Sequence, residues 1–295
     1  MKTKTAMITI AGRPNVGKST LTNFLVGEKI AIVSNKPQTT RNRIRGIVTK
    51  DDTQFVFVDT PGYHRARTKL GDYMVNVTQE SIADVDLTIL VVEPIASVGT
   101  QEEGLLQRIQ SSHCPAVLAI NKIDTVEKDK LLEVIAAYSQ KADFDAIVPI
   151  SAKTGDGVDD LLKTCEKYAV EGPFLFPEDV TTDQPERQVM AEIIREKLLW
   201  CLEREVPHGT AVEITKFSER DNGIIDIDAT IYCEKASHKG IIIGKGGEML
   251  KKISSLARAD CEKFMGTKVY LTTWVKVKEN WRDSDFLVRN FGYSE

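Results

Sequence analysis

The sequence predicts two domains: an α/β domain whose mostly parallel sheet is covered by helices on both faces, followed by a smaller α+β domain. The chain has 295 residues, about twice the length of a typical domain. In its first half, short apolar strands alternate with amphipathic helices, which is the pattern of a parallel sheet. In its second half the predicted order is αββααβα, which fits a compact α+β domain.

The first domain is predicted to contain six strands. They cover 5–11, 43–49, 53–58, 86–92, 116–121 and 145–150. The second and third flank a turn signal at 50–52 and should form a hairpin. Segments of helical length separate the others, including Glu127–Gln140 and Val158–Val170, and the latter carries apolar residues at helical spacing.

A stretch punctuated by prolines separates the two domains. We therefore predict a first domain over 1–172, a linker over 173–185 and a second domain over 186–295. The second domain should begin with a helix over 185–205. Its remaining predicted elements are strands at 210–217 and 224–233, helices at 237–243 and 248–264, a strand at 268–276 and a short C-terminal helix.

Composition excludes several classes of protein. The chain is 42% hydrophobic and 28% charged, which is typical of a globular protein and argues against disorder. No apolar run reaches the roughly 18 residues of a membrane span. The N-terminus lacks a small-residue cleavage site, so it predicts a first strand and not a signal peptide. Five widely spaced cysteines without a CxxC pair predict no disulfide framework or zinc site, and a reducing, intracellular compartment.

Charge is distributed unevenly along the chain, whose net charge is −4. Residues 235–278 contain ten Lys and Arg against three Asp and Glu, whereas 173–234 contain six against fourteen. A basic block in an acidic protein suits a polyanion, although a solvated helix face would give the same count.

Residues 12–19 match the phosphate-binding motif G-x-x-x-x-G-K-[ST] in full, between a predicted strand and a predicted helix. Glycines allow the tight turn that directs backbone N–H groups at phosphate oxygens. Lys18 is expected to reach the β- and γ-phosphates, and Ser19 to ligate Mg²⁺. The predicted nucleoside triphosphate site consists of Gly12, Arg13, Pro14, Asn15, Val16, Gly17, Lys18 and Ser19.

The tetrapeptide N-K-x-D at 121–124 follows a predicted parallel strand, where α/β proteins build ligand sites. Asp124 can accept hydrogen bonds from both N1–H and the exocyclic amine of guanine. Adenine lacks that pattern, and such mismatches discriminate by about 10⁴-fold. Asn121 should brace the loop, and Lys122 should lie along the base. A triplet after the next strand should offer a backbone N–H to the guanine O6: Ser151, Ala152 and Lys153.

Two further segments are predicted to sense the γ-phosphate. The first is D-T-P-G, made of Asp59, Thr60, Pro61 and Gly62. Asp59 should hold Mg²⁺ through water, and the Gly62 N–H should contact the γ-phosphate. The second is the polar loop 36–41, which GTP and Mg²⁺ should order. Thr40 is the preferred metal ligand in it, and Thr39 is the alternative.

These motifs, in this order, resemble those of translation-factor-class GTPases. Many GTPases place a water-orienting Gln directly after D-x-x-G, but here Tyr63 and His64 follow. Among the side chains we identify no general base; His64 is considered, but an exposed loop histidine is the commoner interpretation. Lys18 and the Gly62 N–H are therefore the predicted catalytic groups. Slow turnover follows, roughly 10⁻⁴ to 10⁻² s⁻¹ for an unassisted GTPase.

The basic block contains G-K-G-G at 244–247, between two predicted helices and after an aliphatic run. This arrangement, within the order αββααβ, resembles a type II KH domain, whose G-x-x-G loop clamps about four nucleotides of single-stranded RNA. Either Ile242 or Ile243 should floor the groove. The predicted RNA-binding residues are Ile242, Ile243, Gly244, Lys245, Gly246, Gly247, Lys251 and Lys252.

A GTPase domain followed by a KH domain is a narrow combination, and the chain resembles the Era family of bacterial ribosome-assembly GTPases. The resemblance includes K-P-Q-T-T-R at 36–41, R-E-K at 195–197 and W-V-K-V-K at 274–278. It implies GTP or GDP with Mg²⁺ and binding of the 3′ end of small-subunit (16S) ribosomal RNA during 30S assembly. It also implies peripheral contact to the cell membrane. We further expect a cytoplasmic protein and a monomer.

Our working hypothesis is a switch in which GTP and Mg²⁺ order 34–41 and 59–64 and thereby favour RNA binding. The main alternative is a GTPase whose KH fold is a scaffold for a protein partner. A small-molecule kinase would use the same phosphate loop, but N-K-x-D argues against it. A nucleotide-independent RNA chaperone would not need Lys18.

Overall fold

The computed structural model describes residues 2–63, 66–83 and 85–293. By their contacts, these residues form two compact units. The first unit extends to Ala31 and resumes over Thr40–Ala66 and Gly71–Asp183; the second contains Ile32–Thr39, Arg67–Leu70 and the chain from Gln184 onward. Two segments from the first half of the chain therefore belong to the second unit, which a linear division of the sequence does not anticipate.

The first unit is built on one sheet. Its strands, within the described residues, are β1 Lys4–Ala11, β2 Ile44–Lys50, β3 Thr53–Asp59, β4 Leu87–Val92, β5 Ala116–Ile120, β6 Ala146–Pro149 and β7 Val170–Glu171. Their order is β2-β3-β1-β4-β5-β6, and β7 pairs with the start of β1. Strands β3, β1, β4, β5 and β6 are parallel, while β2 and β3 form the predicted antiparallel hairpin. The prediction of a mostly parallel sheet is confirmed.

Helices cover both faces of this sheet. They are α1 Lys18–Val26, α2 Lys69–Ala83, α3 Thr100–Ser112, α4 Lys128–Ser139 and α5 Val158–Glu166. Alternate residues of β4 enter different cores: Ile89 packs in the cluster that contains Leu21 and Leu161, and Leu90 in the one that contains Leu105. A parallel sheet buried on both faces needs apolar residues at nearly every position, which explains the continuous apolar runs in the sequence.

The helix predicted over Val158–Val170 is shorter in the structure and ends at Glu166. Val170 and Glu171 instead pair with Thr5 and Lys4 at the start of β1, at positions that β4 does not reach. The pairing provides backbone hydrogen bonds that a longer helix would have made internally.

Much of the predicted linker is held by the first unit. Gln54, the second residue of β3, is fully buried. Its Nε2 donates to the Phe176 carbonyl at 2.9 Å, and its Oε1 accepts from the N–H groups of Leu175 and Phe176 at 2.9 and 3.0 Å. One amide side chain thus fixes this stretch against the sheet.

The second unit has the predicted order αββααβα. Its elements are α6 Glu186–Cys201, β8 Ala211–Glu219, β9 Ile225–Cys233, α7 Ala236–Ile243, α8 Glu248–Met265, β10 Val269–Val277 and α9 Asp285–Asn290. Strand β9 is central, antiparallel to β8 and parallel to β10. The core joins Ile194 of α6, Ile227 of β9 and Ile253 of α8.

Helix α6 is shorter than the 185–205 predicted, because Leu202 adopts an extended conformation (φ −106°, ψ 156°) directly after Cys201. The Leu202 side chain remains in the core. An apolar residue can therefore continue a helical pattern after the helix itself has ended.

No helix in the described ranges is long and apolar enough to cross a membrane. The five cysteines are all free.

Candidate nucleotide and nucleic-acid sites

The predicted phosphate loop lies between the end of β1 and the start of α1, and α1 begins at Lys18 itself. Two of its glycines have no room for a side chain. A Cβ on Gly12 would lie 2.5 Å from the Val91 carbonyl oxygen, and one on Gly17 would lie 2.2 Å from Nδ2 of Asn121. Gly17 also has φ +101°, which favours glycine. The loop is therefore closely packed against the ends of neighbouring strands.

Lys18 is a buried cation in this loop. Its Nζ donates to the carbonyl oxygens of Gly12 at 3.0 Å and Arg13 at 2.8 Å. Burial lowers the pKa of Lys18 to about 8, and the nearby Asp59 carboxylate partly opposes that shift. An amino group held at a helix N-terminus is well placed to bind an anion.

Three oxygen ligands for a hard cation meet beside Lys18. Ser19 Oγ lies 2.8 Å from Thr40 Oγ1 and donates to Asp59 Oδ2 at 2.6 Å. The other carboxylate oxygen, Asp59 Oδ1, is buried without a hydrogen-bond partner among the described residues. Burial raises the pKa of Asp59 to about 6, while Lys18 and Ser19 act in the opposite direction. Two hydroxyls and a desolvated carboxylate fit Mg²⁺, which prefers oxygen ligands.

The two adjacent threonines have different partners. Thr40 is buried and faces Ser19, whereas Thr39 Oγ1 donates to the Lys36 carbonyl at 2.6 Å. Thr39 also belongs to the second unit, and Thr40 to the first.

The D-T-P-G segment packs directly on the phosphate loop. Thr60 Oγ1 donates to the Ile10 carbonyl at 2.9 Å. A Cβ on Gly62 would lie 2.7 Å from the Cα of Pro14, so only glycine allows this approach. The next backbone N–H, that of Tyr63, donates to the Gly12 carbonyl at 3.2 Å. Pro61 accepts from Thr78 of α2 at 3.0 Å.

The Tyr63 ring lies against α3. The guanidinium carbon of Arg108 is 5.1 Å from its centroid, and a Cβ on Gly104 would come within 3.3 Å of the ring. His64, which was considered as a general base, lies outside the described residues.

Asn121 connects the phosphate loop with the predicted base site. Its Nδ2 donates to the Val16 carbonyl at 2.8 Å, and its Oδ1 accepts from the Ala152 N–H at 2.9 Å. Ser151 Oγ donates to Asp124 Oδ1 at 2.7 Å. The three predicted parts of the nucleotide site are thus brought together by one buried amide, and the Lys153 side chain is exposed.

Two acidic residues that the sequence analysis missed organise the edge of this site. Lys122 Nζ donates to the Asn15 carbonyl at 2.8 Å and to Glu93 Oε1 at 2.5 Å. Arg13 forms ion pairs with both Glu93 and Glu102. Glu93 directly follows β4. Ligand sites of α/β proteins lie at the carboxyl ends of parallel strands, so this position could have identified Glu93 from the sequence. Glu102 lies within α3, and no feature of the sequence indicated that it would contact the site.

The G-K-G-G loop connects α7 with α8. Gly244 has φ +74°, and a Cβ there would lie 2.7 Å from that of Met249, so this glycine is needed for packing. Gly246, at φ +59°, has no atom within 4 Å of its would-be Cβ. The tip of the loop is consequently open to a ligand.

The basic side chains around this loop face solvent: Lys245, Lys251 and Lys252. The two isoleucines that could form the floor of an RNA-binding groove differ in burial. Ile242 is 0% exposed and belongs to the hydrophobic core, so it has no surface for RNA, whereas Ile243 is only partly buried. Helical geometry turns adjacent residues to different faces, and sequence alone did not say which faced inward.

The fold and the two sites define a class of protein: a P-loop GTPase domain followed by a KH domain. Models of two protein families match the same two parts of the chain. Residues 7–122 match the model of 50S ribosome-binding GTPases, and residues 205–282 match the model of KH domains.

Relatives of known class resemble the chain over almost its whole length. It is 53% identical to GTPase Era of Ruminiclostridium cellulolyticum over 99% of this chain and 98% of the relative. It is 51% identical to GTPase Era of Clostridium kluyveri over 98% of this chain and 99% of that relative. The chain therefore belongs to the Era family, and it is a GTPase.

Solved Era structures have the same fold. Aquifex aeolicus Era, as a variant bound to GDP·AlF₄⁻, matches with a TM-score of 0.95 at 38% identity, over 99% of this chain and 100% of that one. Era in complex with MgGDPNP and nucleotides 1506–1542 of 16S ribosomal RNA matches with a TM-score of 0.96 at 38% identity and the same coverage.

Proposed function

We propose that this protein is a GTP-dependent switch that binds the 3′-end region of 16S ribosomal RNA through its KH domain and acts in assembly of the 30S subunit. The observation that carries the RNA proposal is the open Gly246 at the tip of a glycine loop, with Lys245, Lys251 and Lys252 exposed around it. The Era complex with nucleotides 1506–1542 supports the same ligand.

The nucleotide site supports binding of GTP or GDP with Mg²⁺. In this proposal the backbone of 12–19 and the Lys18 ammonium bind the phosphates, while Asn121, Lys122 and Asp124 select guanine. Ser19, Thr40 and Asp59 hold Mg²⁺, which when bound neutralises charge on the β- and γ-phosphate oxygens.

Hydrolysis would rely on positioning and electrostatics. Lys18 and the Gly62 N–H stabilise the charge that develops as water attacks the γ-phosphorus and GDP leaves. Tyr63, the residue directly after D-x-x-G, packs its ring against α3, and we assign no side chain as general base. Turnover should therefore be slow, roughly 10⁻⁴ to 10⁻² s⁻¹.

The cellular setting rests on the family resemblance. We propose a monomer that works in the cytoplasm, with peripheral contact to the inner face of the cell membrane. Its principal partner is the 30S subunit through its 16S rRNA.

A calorimetric titration tests the switch. A short single-stranded RNA that copies the 16S 3′ end is titrated into the apo, GDP and GDPNP forms at one salt concentration. We expect tighter binding in the GDPNP form, by roughly 5- to 150-fold, and the same factor for GDPNP binding in the presence of RNA. Equal affinities would remove the switch, and no binding in any form would favour the protein-scaffold alternative.

Replacing Thr40, but not Thr39, should weaken Mg²⁺ binding. Thr40→Ala removes the hydroxyl that faces Ser19, so we expect the Mg²⁺ affinity of the GDPNP complex to fall on the order of 10- to 100-fold. Thr39→Ala removes a hydroxyl that bonds the Lys36 carbonyl and should leave the affinity within about threefold. Mg²⁺ titrations followed by release of a fluorescent nucleotide measure both, and the reverse ranking would assign the metal to Thr39.

A further inference from the structure

Three consecutive charged residues of α6 are buried: Arg195 and Glu196 are 0% exposed, and Lys197 is 1% exposed. Neither the nucleotide site nor the G-K-G-G loop uses them. Buried charges are costly unless they are paired and hydrogen-bonded. The partners of these three residues therefore indicate what the triplet does.

Two of the three bind the segment Ile32–Thr39, which belongs to the same unit as α6. Glu196 Oε1 accepts from the Val33 N–H at 2.9 Å, and Arg195 donates through Nη2 to the Thr39 carbonyl. One helical turn after Glu196, Trp200 Nε1 donates to the Val33 carbonyl at 2.9 Å. The Val33 backbone is thus held through both its N–H and its carbonyl.

Lys36 adds a contact at the C-terminus of α6. Its Nζ donates to the carbonyl oxygens of Leu199 and Leu202. The last carbonyls of a helix have no intrahelical partner and carry partial negative charge, so a lysine there is stabilising. Segment 32–39 is therefore attached along the last two turns of α6.

Lys197 connects Glu196, which holds segment 32–39, to α8. Its Nζ is 2.7 Å from Glu196 Oε2 and 2.5 Å from Oδ2 of Asp260, which lies on α8. It also lies 3.6 Å from the centroid of the Trp200 ring. Glu196 consequently holds segment 32–39 with one carboxylate oxygen and Lys197 with the other.

One end of this connection adjoins the predicted metal site, and the other lies on the helix that follows the G-K-G-G loop. At one end, Thr39 is followed by Thr40, whose hydroxyl lies 2.8 Å from Ser19 Oγ, so one peptide bond separates a group held by Arg195 from the metal site. At the other end, α8 starts directly after Gly247. Asp260 is about 18 Å along that helix from its first residue, at 1.5 Å per residue.

We propose that Glu196, Lys197 and Asp260 are positioning residues that couple segment 32–39 to α8, so that the nucleotide state at Thr40 changes RNA affinity at the G-K-G-G loop. This inference rests on the proposed function and names the residues through which the switch acts. Neither Lys197 nor Asp260 needs to contact either ligand.

The test compares Asp260→Ala with Glu262→Ala. Both residues lie on α8 with partly exposed side chains, but Asp260 pairs with Lys197, whereas Glu262 pairs with Lys268 and accepts from the Val269 N–H. Asp260→Ala leaves Lys197 paired with Glu196, so no buried charge is abandoned. The measured quantity is the ratio of RNA dissociation constants in the GDP and GDPNP forms, with thermal unfolding as a check on folding.

We expect the ratio, roughly 5 to 150 in the wild type, to fall below about threefold in Asp260→Ala and to persist in Glu262→Ala. A second variant, Glu196→Gln with Lys197→Met, removes both charges together while retaining an acceptor for Val33, and should show the same loss. A full wild-type ratio in Asp260→Ala, or an equal loss of affinity in both nucleotide states, would overturn the coupling role. A wild-type ratio of one would instead overturn the proposed switch itself, and the coupling with it.

Discussion

Asp124→Asn is expected to change the base preference of the nucleotide site from guanine to xanthine. Guanine presents two donors, N1–H and the exocyclic amine, to a carboxylate. Xanthine replaces that amine with a carbonyl, which the Asn amide can satisfy while its oxygen still accepts from N1–H. A site that loses such a pair of hydrogen bonds discriminates by about 10⁴-fold, so the GTP-to-XTP affinity ratio should fall by about that factor.

The surroundings of Asp124 indicate that this substitution changes the contacts with the base without disturbing the fold. Ser151 Oγ already donates to Asp124 Oδ1 at 2.7 Å, and an Asn oxygen can accept the same bond. Asp124 is exposed, so the substitution creates no buried unpaired group. Asp129→Asn, in the first turn of α4, is the matched control because it makes the same chemical change a few residues away. Competition titrations with GTP and XTP measure the ratio, and unchanged guanine preference would refute the assignment of the base site.

Gly246→Asp should abolish most RNA binding, whereas Gly246→Asn should not. Both side chains have nearly the same shape, and both tolerate the left-handed conformation at φ +59° better than other residues do. Only Asp places a negative charge where the proposal puts RNA phosphates. Juxtaposed like charges cost several kcal/mol, so we expect affinity to fall by about 10²-fold or more relative to Asn.

Gly246 has room for a side chain, and Gly244 does not. Gly244 is an equally attractive target in the sequence, but its would-be Cβ lies 2.7 Å from that of Met249, and any substitution there would disturb the packing of α8. RNA titrations of the two Gly246 variants, with nucleotide affinity as the control, make the comparison. Equal RNA affinity of the Asp and Asn variants would favour the KH fold as a protein-binding scaffold.

Local patterns predicted most of the fold. Strand β4, for example, is recognisable because every residue from Leu87 to Val92 is apolar or Thr, and both of its faces are buried. The ends of elements were less predictable. Leu202 continues the apolar pattern of α6 on an extended backbone, and Val170 leaves the predicted α5 to pair with β1. In both places tertiary contacts outweigh the local preference for helix.

Neighbouring residues encode the phosphate loop, the N-K-x-D motif, the G-x-x-G loop, the six predicted strands of the first unit and the order of elements in the second, so each of these could be recognised in the sequence. Contacts between distant parts of the chain place Thr40 opposite Ser19 and Ile242 in the core, and leave Gly246 open. Such contacts also decide the partners of Arg195, Glu196 and Lys197. Glu196 and Val33 are 163 positions apart, and no periodicity in the sequence records a contact over that separation, which forms only when the chain has folded.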